Sequence, residues 1–272
     1  MKLAWGRSAA MLAAVSVVFA AGACGDKAGD SSKPAAAATS SKPADPKETL
    51  LGSLKEYDKG IYDVAFTARD GSGSAAVDAT QKHAHIKLAS TEGDVKFSME
   101  LLVLEPEAYL KMDMGAMATA VPGLELLNGK KWIHVDRSKI KDSQELSIKA
   151  DEADLLGVEA LLKSAQGVQA AGDKKYTGTL DLSKADKSPM TDEEVTKALG
   201  DKAASVPFTA TLGADGQLSE LVIDVPAAGD KAAHQLKMTL SNYGKATIPA
   251  KPAGAEVVEP PASIYTMLNG SN

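Results

Sequence analysis

From Tyr62 to Leu240 apolar residues recur at every second position, segment after segment. Tyr62, Val64, Phe66 and Ala68 alternate with Asp63 and Thr67, and Ala84, Ile86 and Leu88 alternate with His83, His85 and Lys87. Val95, Phe97, Met99, Leu101 and Val103 share one face, opposite Lys96, Ser98 and Glu100. Past the Glu105-Pro106-Glu107 break, Ala108, Leu110, Met112 and Met114 alternate with Tyr109, Lys111 and Asp113. Trp132 to Asp136 and the stretch holding Tyr176, Leu180 and Leu182 are further short strands. Phe208, Ala210 and Leu212 answer Leu221, Ile223 and Val225 across an Asp215-Gly216 turn, and Leu236, Met238 and Leu240 close the series. A period of two sends successive side chains to opposite faces, so these segments are strands of an antiparallel sheet buried on one side.

The strands are punctuated by segments of another kind. Leu50, Leu51, Leu54 and Tyr57 lie on one face of a short helix that Gly60 ends. Glu152 to Gln169 predicts one long helix, with Leu155, Leu156, Val158, Leu161, Leu162 and Val168 as its apolar stripe and an acidic start suited to a helix N-terminus. Thr191 and Glu194 have the spacing of a capping box, for a helix that stops at Gly200. A final turn carries Ile264 and Leu268, while Asp70-Gly-Ser-Gly and Asn128-Gly129 predict turns. On the order of ten strands in one open sheet curl rather than stay flat, and the apolar face needs cover that only the amphipathic helices supply. The expected class is α+β: a strongly curved antiparallel sheet, a half-barrel, with helices packed on its concave face.

Aromatics make up 4% of the 272 residues, so the core is aliphatic. The net charge of −6 offers no basic excess to neutralise phosphates, which argues against a nucleic-acid partner. Signals for catalysis are sparse. There is no G-x-S-x-G elbow, no glycine-rich phosphate loop after a strand, and the single cysteine, Cys24, lies near the N-terminus. His83 and His85 share a strand face, but no third ligand stands at a linked spacing, so they read as a solvated polar face. The acidic clusters at Asp151, Glu152 and Asp154 and at Asp192 to Glu194 read as helix starts. The chain is therefore expected to be no enzyme and to carry no cofactor or metal.

Methionine stands out instead. Met99, Met112, Met114 and Met117 cluster in one third of the chain, and Met238 joins them on a late strand. Methionine fills irregular core gaps, and it also lines surfaces that accept varied apolar partners. The residues expected to line an apolar cavity between sheet and helices are Phe97, Met99, Leu101, Leu110, Met112, Met114, Met117, Leu221, Ile223, Leu236 and Met238.

The N-terminus has the parts of a secretory signal. Lys2 and Arg7 precede an apolar run from Ser8 to Ala20, too short for an ordinary membrane span, and Ala21-Gly22-Ala23 lead into Cys24. Residues 25–45, rich in Ser, Ala, Pro, Lys and Asp, bury too little to fold and read as a tether with a root-mean-square reach of roughly 25 Å. Three segments follow: 1–23 as signal, 24–45 as tether, and 46–272 as one domain. The small triplet before a cysteine resembles the lipobox of bacterial lipoproteins. That resemblance implies cleavage between Ala23 and Cys24, acyl chains on Cys24, and residence on the outer face of the cytoplasmic membrane.

Within the domain, KKWIHVDRS (130–138), KYTGTLDLSKA (175–185), VPFTATLGADGQLSELVIDVP (206–226) and LSNYGKATIPAKPAGAEVVEPP (240–261) resemble segments of actinobacterial lipoproteins of the LppX/LprG type, which are similar in fold to the LolA/LolB carriers. The resemblance implies a half-barrel that holds an amphiphilic lipid or glycolipid and carries it across the envelope, with a membrane transporter as a possible partner. The alternative expectation is an accessory or sensor lipoprotein with a solid core that binds a membrane protein.

Overall fold

In a computed structural model, residues 44–69, 71–92, 95–120, 124–140, 149–184, 193–229 and 231–269 are described. The signal, Cys24, nearly all of the tether and the Thr191 of the capping box lie outside these residues. After helix α1 (Pro46–Gly52) come strands β1 (Ile61–Thr67), β2 (Gly71–Asp78), β3 (His83–Glu92), β4 (Val95–Leu104) and β5 (Glu107–Asp113). A single turn of helix α2 (Met117–Ala120) leads to β6 (Trp132–Val135), and α3 (Val158–Lys163) to β7 (Gln166–Ala170) and β8 (Lys175–Leu180). Helix α4 (Glu193–Leu199) precedes β9 (Val206–Leu212), β10 (Leu218–Val225) and β11 (His234–Ser241), and the chain ends with β12 (Val257–Val258) and α5 (Ala262–Leu268).

Among the described residues the twelve strands form one open, curved sheet in the order β12-β6-β5-β4-β3-β2-β1-β11-β10-β9-β8-β7. Every neighbouring pair is antiparallel except β12 with β6. The registers bring the predicted apolar positions onto one face. Val64 pairs with Ala75, Ala75 with Ile86, Ile86 with Leu101 and Leu101 with Leu110. In the other direction Phe66 pairs with Met238, Met238 with Leu221 and Leu221 with Ala210. A slip of one residue in any pair would turn its apolar set to solvent, so burial of this face holds the register.

Two clusters of buried side chains lie along that face. The larger joins Leu50 and Leu54, Val158, Leu161 and Leu162, and Leu199 to Val64, Val77, Phe208, Leu221 and Met238. The smaller joins Ile264 of α5 to Leu101, Leu110, Ile133 and Val135. Leu155 packs against both. Lys47 fixes α1 to α3, because its Nζ donates to the carbonyls of Lys163 and Ala165 at 3.0 and 2.6 Å, which the end of a helix leaves unpaired.

Two expectations are corrected. The long helix over Glu152–Gln169 is in fact the six residues of α3, flanked by turns and followed by strand β7. Gly157 and Gly167 both have positive φ, at 69° and 58°, and a right-handed helix cannot run through either. The stripe was nonetheless apolar for a reason, since Leu156, Val158, Leu161 and Leu162 are all buried. Gly71, Ser72 and Gly73, read as a turn, belong to β2. The missing side chain of Gly73 makes room for its partner Phe66 on β1, on the same face. A Cβ on Gly73 would stand 2.3 Å from the Phe66 ring and 2.6 Å from the Lys87 carbonyl. Phe208 repeats the device beside Gly178, its partner on β8, where a Cβ would stand 3.0 Å from the ring. Gly73→Ala is expected to cost about 1–3 kcal/mol by overpacking. Urea unfolding measures this, and a Phe66→Leu second change should restore part of the loss.

Candidate functional site

The two faces of the sheet present different chemistry. On the apolar face, the residues expected to line a cavity fall into three groups. Leu221, Ile223, Leu236 and Met238 are buried in the larger cluster, and Leu101, Leu110 and Met112 in the smaller. Phe97, Met99 and Met114 are half-buried against the smaller cluster, and Met117 is 40% exposed. Among the described residues cover is thus dense over β9–β11 and thin where β5 leads into α2, at the Met-rich end of the sheet.

One interior polar knot anchors this face. Tyr57 and Tyr62 stack with ring centres 4.3 Å apart. The Tyr57 hydroxyl donates to Asp154 Oδ1 at 2.7 Å, and the Tyr62 hydroxyl donates to the Ala153 carbonyl at 3.1 Å. Asp154 also accepts from the backbone N–H groups of Glu159 and Ala160, so the same carboxylate caps α3. Burial pushes both phenols well above their usual range, and the neighbouring Asp154 charge adds to the effect. Sequence reasoning placed Asp154 at a helix start, which it is, but gave no sign of its tyrosine partner nearly a hundred residues away.

The opposite face carries an open groove of about 470 Å³ across β2 to β5. Eight of its twelve lining residues fall into two rows set by the registers, and Gly73, Leu88, Met99 and Gly129 complete the lining. Ser74, Lys87, Glu100 and Lys111 are consecutive cross-strand partners, and so are Ser72, Ala89, Ser98 and Asp113. Glu100 is the hub of the first row. It accepts from His85 Nε2 at 2.8 Å and lies 3.2 Å from Lys111 and 3.5 Å from Lys87. Burial pushes the Glu100 carboxyl upward, but the hydrogen bonds from His85 and Lys111 and the two lysine charges outweigh it and hold it below the ordinary glutamate range. The His85 side chain is only 11% exposed, so it is a half-enclosed partner of Glu100 rather than part of a solvated face. Lys111 also lies 4.4 Å from the centre of the Trp132 ring.

Further along this face the C-terminal segment crosses β5 and β6. Lys251 bonds both carboxylate oxygens of Glu107 at 2.8 Å and lies over the Tyr109 ring, Lys131 donates to the Ala255 carbonyl, and Glu259 meets His134 at 2.9 Å. Leu102 and Tyr109 are each 1% exposed although they lie on the face that alternation assigns to solvent. The nearby Lys251 ammonium contacts come from a Pro-rich stretch that shows no periodicity, which is why the sequence carried no sign of this second buried layer. Among the described residues no group of three or more His, Cys, Asp or Glu side chains is placed to hold a metal ion. No helix among them is long and apolar enough to cross a membrane.

No family model matches the chain, and no curated protein matches it. Among solved structures, a crystal structure of MucB in complex with MucA(peri) superposes on 77% of this chain with a TM-score of 0.30 and 11% sequence identity. The chain spans 60% of the length of the chain it matches there.

Proposed function

We propose that this protein is a membrane-anchored extracytoplasmic lipoprotein of the LppX/LprG type, with a LolA-like half-barrel, that binds an amphiphilic lipid between the apolar face of its sheet and the helices. It acts as a carrier or binder and not as an enzyme. The observation that carries this reading is the uneven cover of the apolar face. Side chains are sealed over β9–β11, while Phe97, Met99 and Met114 are half-buried and Met117 is exposed at one end. Flexible thioethers at an incompletely covered apolar surface adapt to acyl chains of varied length. Each methylene withdrawn from water there contributes about 0.8 kcal/mol. The concave side of the curved sheet is then the apolar side, and the short helices are its partial lid.

Cys24 supplies the anchor in this reading. Two acyl chains hold a protein at a membrane that one chain grips only marginally. Cys24→Ala is expected to release the protein from the membrane fraction and to make it purifiable without detergent. Native mass spectrometry of that variant, after incubation with phospholipid vesicles, should show the protein mass plus one lipid. Protein that stays free of lipid at every vesicle concentration rules out the binding pocket, and the reading then passes to a lipoprotein with a solid core that binds a membrane protein.

A further inference from the structure

The charged and hydroxyl side chains of the groove across β2 to β5 lie on the face away from the core, opposite the face proposed to hold lipid. Its two rows differ in chemistry. In one, Lys87 and Lys111 flank Glu100, whose single negative charge is already met by His85 at 2.8 Å. Two ammonium groups share a carboxylate that a third donor has partly satisfied, which leaves the row with a cationic surplus. That surplus stands in a chain whose net charge is −6. Lys87 is 57% exposed and so free to turn toward a ligand, while Lys111 is held against the Trp132 ring.

The second row is uncharged over most of its length. Ser72, Ala89 and Ser98 form a low floor, and Asp113 closes its end with Oδ1 accepting from the Gly115 N–H at 2.8 Å. Hydroxyls both donate to and accept from alcohol groups, and the Asp113 carboxylate accepts from them. The rows are two residues apart along each strand, about 6.7 Å. That separation places an acid group over one row while hydroxyls reach the other. A volume of about 470 Å³ lies within the range of small-molecule sites.

We propose that this groove binds a small hydroxylated anion, a sugar phosphate or sugar acid. Lys87 and Lys111 take the acid group, and Ser72, Ser98 and Asp113 take the hydroxyls. The same chemistry is offered by a free solute and by the head of a larger envelope component, and the probes below separate the parts. Trp132 reports directly on Lys111, and it lies outside the leader that holds the other tryptophan, Trp5.

The test titrates the detergent-solubilised full chain with glucose 6-phosphate, inorganic phosphate and glucose, following Trp132 emission and reading affinities by calorimetry. Glucose 6-phosphate should saturate with a Kd of about 1 mM or tighter, and each fragment alone should bind at least about tenfold more weakly. Lys87→Met and Lys111→Met should each weaken glucose 6-phosphate about tenfold or more, and added salt should weaken it in the unsubstituted chain. Phosphate binding as tightly as the sugar phosphate overturns the role of the hydroxyl row. The absence of saturation by all three and by a phosphorylated glycan overturns the site, and this result needs no variant to fold. If saturation appears on a phosphorylated glycan but not on glucose 6-phosphate, the free-solute source is excluded and the envelope component retained.

Discussion

Phe208→Ala is expected to destabilise the protein by about 3–5 kcal/mol, the usual cost of emptying a buried phenylalanine site. Phe208 is 2% exposed in the larger cluster and is one of its largest buried side chains. The core around it is aliphatic, so few neighbours are bulky enough to close the gap. Its ring is seated beside Gly178, which has no side chain to move in, and the backbone at Gln166 prevents a larger residue there. At about 2–4 °C per kcal/mol for a domain of this size, the melting temperature should fall by roughly 6–20 °C. Differential scanning calorimetry of the full chain measures it. Phe208→Leu keeps much of the volume and should recover more than half of the loss. A fall of only a degree or two would mean that the helices collapse onto the site, and that the cover over β9–β11 is loose.

The second large effect is at alkaline pH. Burial lifts the Tyr57 and Tyr62 phenols far above the ordinary tyrosine value of 10.0. In the unfolded chain they ionise near that value, and in the folded chain they stay protonated. The unfolded state therefore holds fewer protons above pH 10, and stability falls as pH rises. Below pH 10 their contribution is complete. Above it each tyrosine removes about 1.4 kcal/mol per pH unit, so the pair removes roughly 2.7. A domain of ordinary stability, about 5–15 kcal/mol, cannot sustain that for many units. Urea unfolding from pH 8 to 12 should show the decline begin near pH 10. Tyr57→Phe, which has no phenol to ionise, should shallow the slope by about 1.4 kcal/mol per unit even though it loses the bond to Asp154. An unchanged slope would show that Tyr57 titrates normally and is open to water.

The two effects share a cause. Both Phe208 and the tyrosine pair belong to the larger cluster, where α1 and α3 lie over the sheet. The tyrosines tie the start of β1 to the start of α3 through Asp154, and Lys47 ties α1 to the other end of α3. Loosening either tie would uncover the same apolar face.

Local pattern was enough for most strands. An alternation such as Leu236, Met238 and Leu240 against Gln235, Lys237 and Thr239 admits one sheet face and no helix, and β11 runs from His234 to Ser241. The hairpin at Asp215-Gly216 was equally plain, because Gly216 takes a φ of 79°. Buried leucines at 156, 161 and 162 and the last turn at Ile264 were legible as apolar, which is a property of composition. Their conformation was less so, because a stripe of aliphatic residues suits a helix until a glycine of positive φ interrupts it. Gly157 and Gly167 were visible as letters, but whether a glycine bends the chain depends on what packs around it.

The candidate site divides in the same way. The apolar and polar residues of β3 to β5 were assigned to faces by the sequence alone, since a strand has two sides and alternation labels them. What it could not supply was register. Lys87, Glu100 and Lys111 lie 13 and 11 residues apart in the chain, and only the pairing of β3 with β4 and β4 with β5 sets them side by side. Nor does a period reveal what a distant segment covers. Tyr109 is buried on the polar face beneath Lys251 of the C-terminal stretch, which stands 144 residues from its partner Glu107. Sequence by itself determined most of the strands and their apolar face, because those follow from neighbours along the chain. The tertiary structure decided the groove, the tyrosine knot and the length of α3, because each depends on groups that meet only when loops close distances that no local pattern encodes.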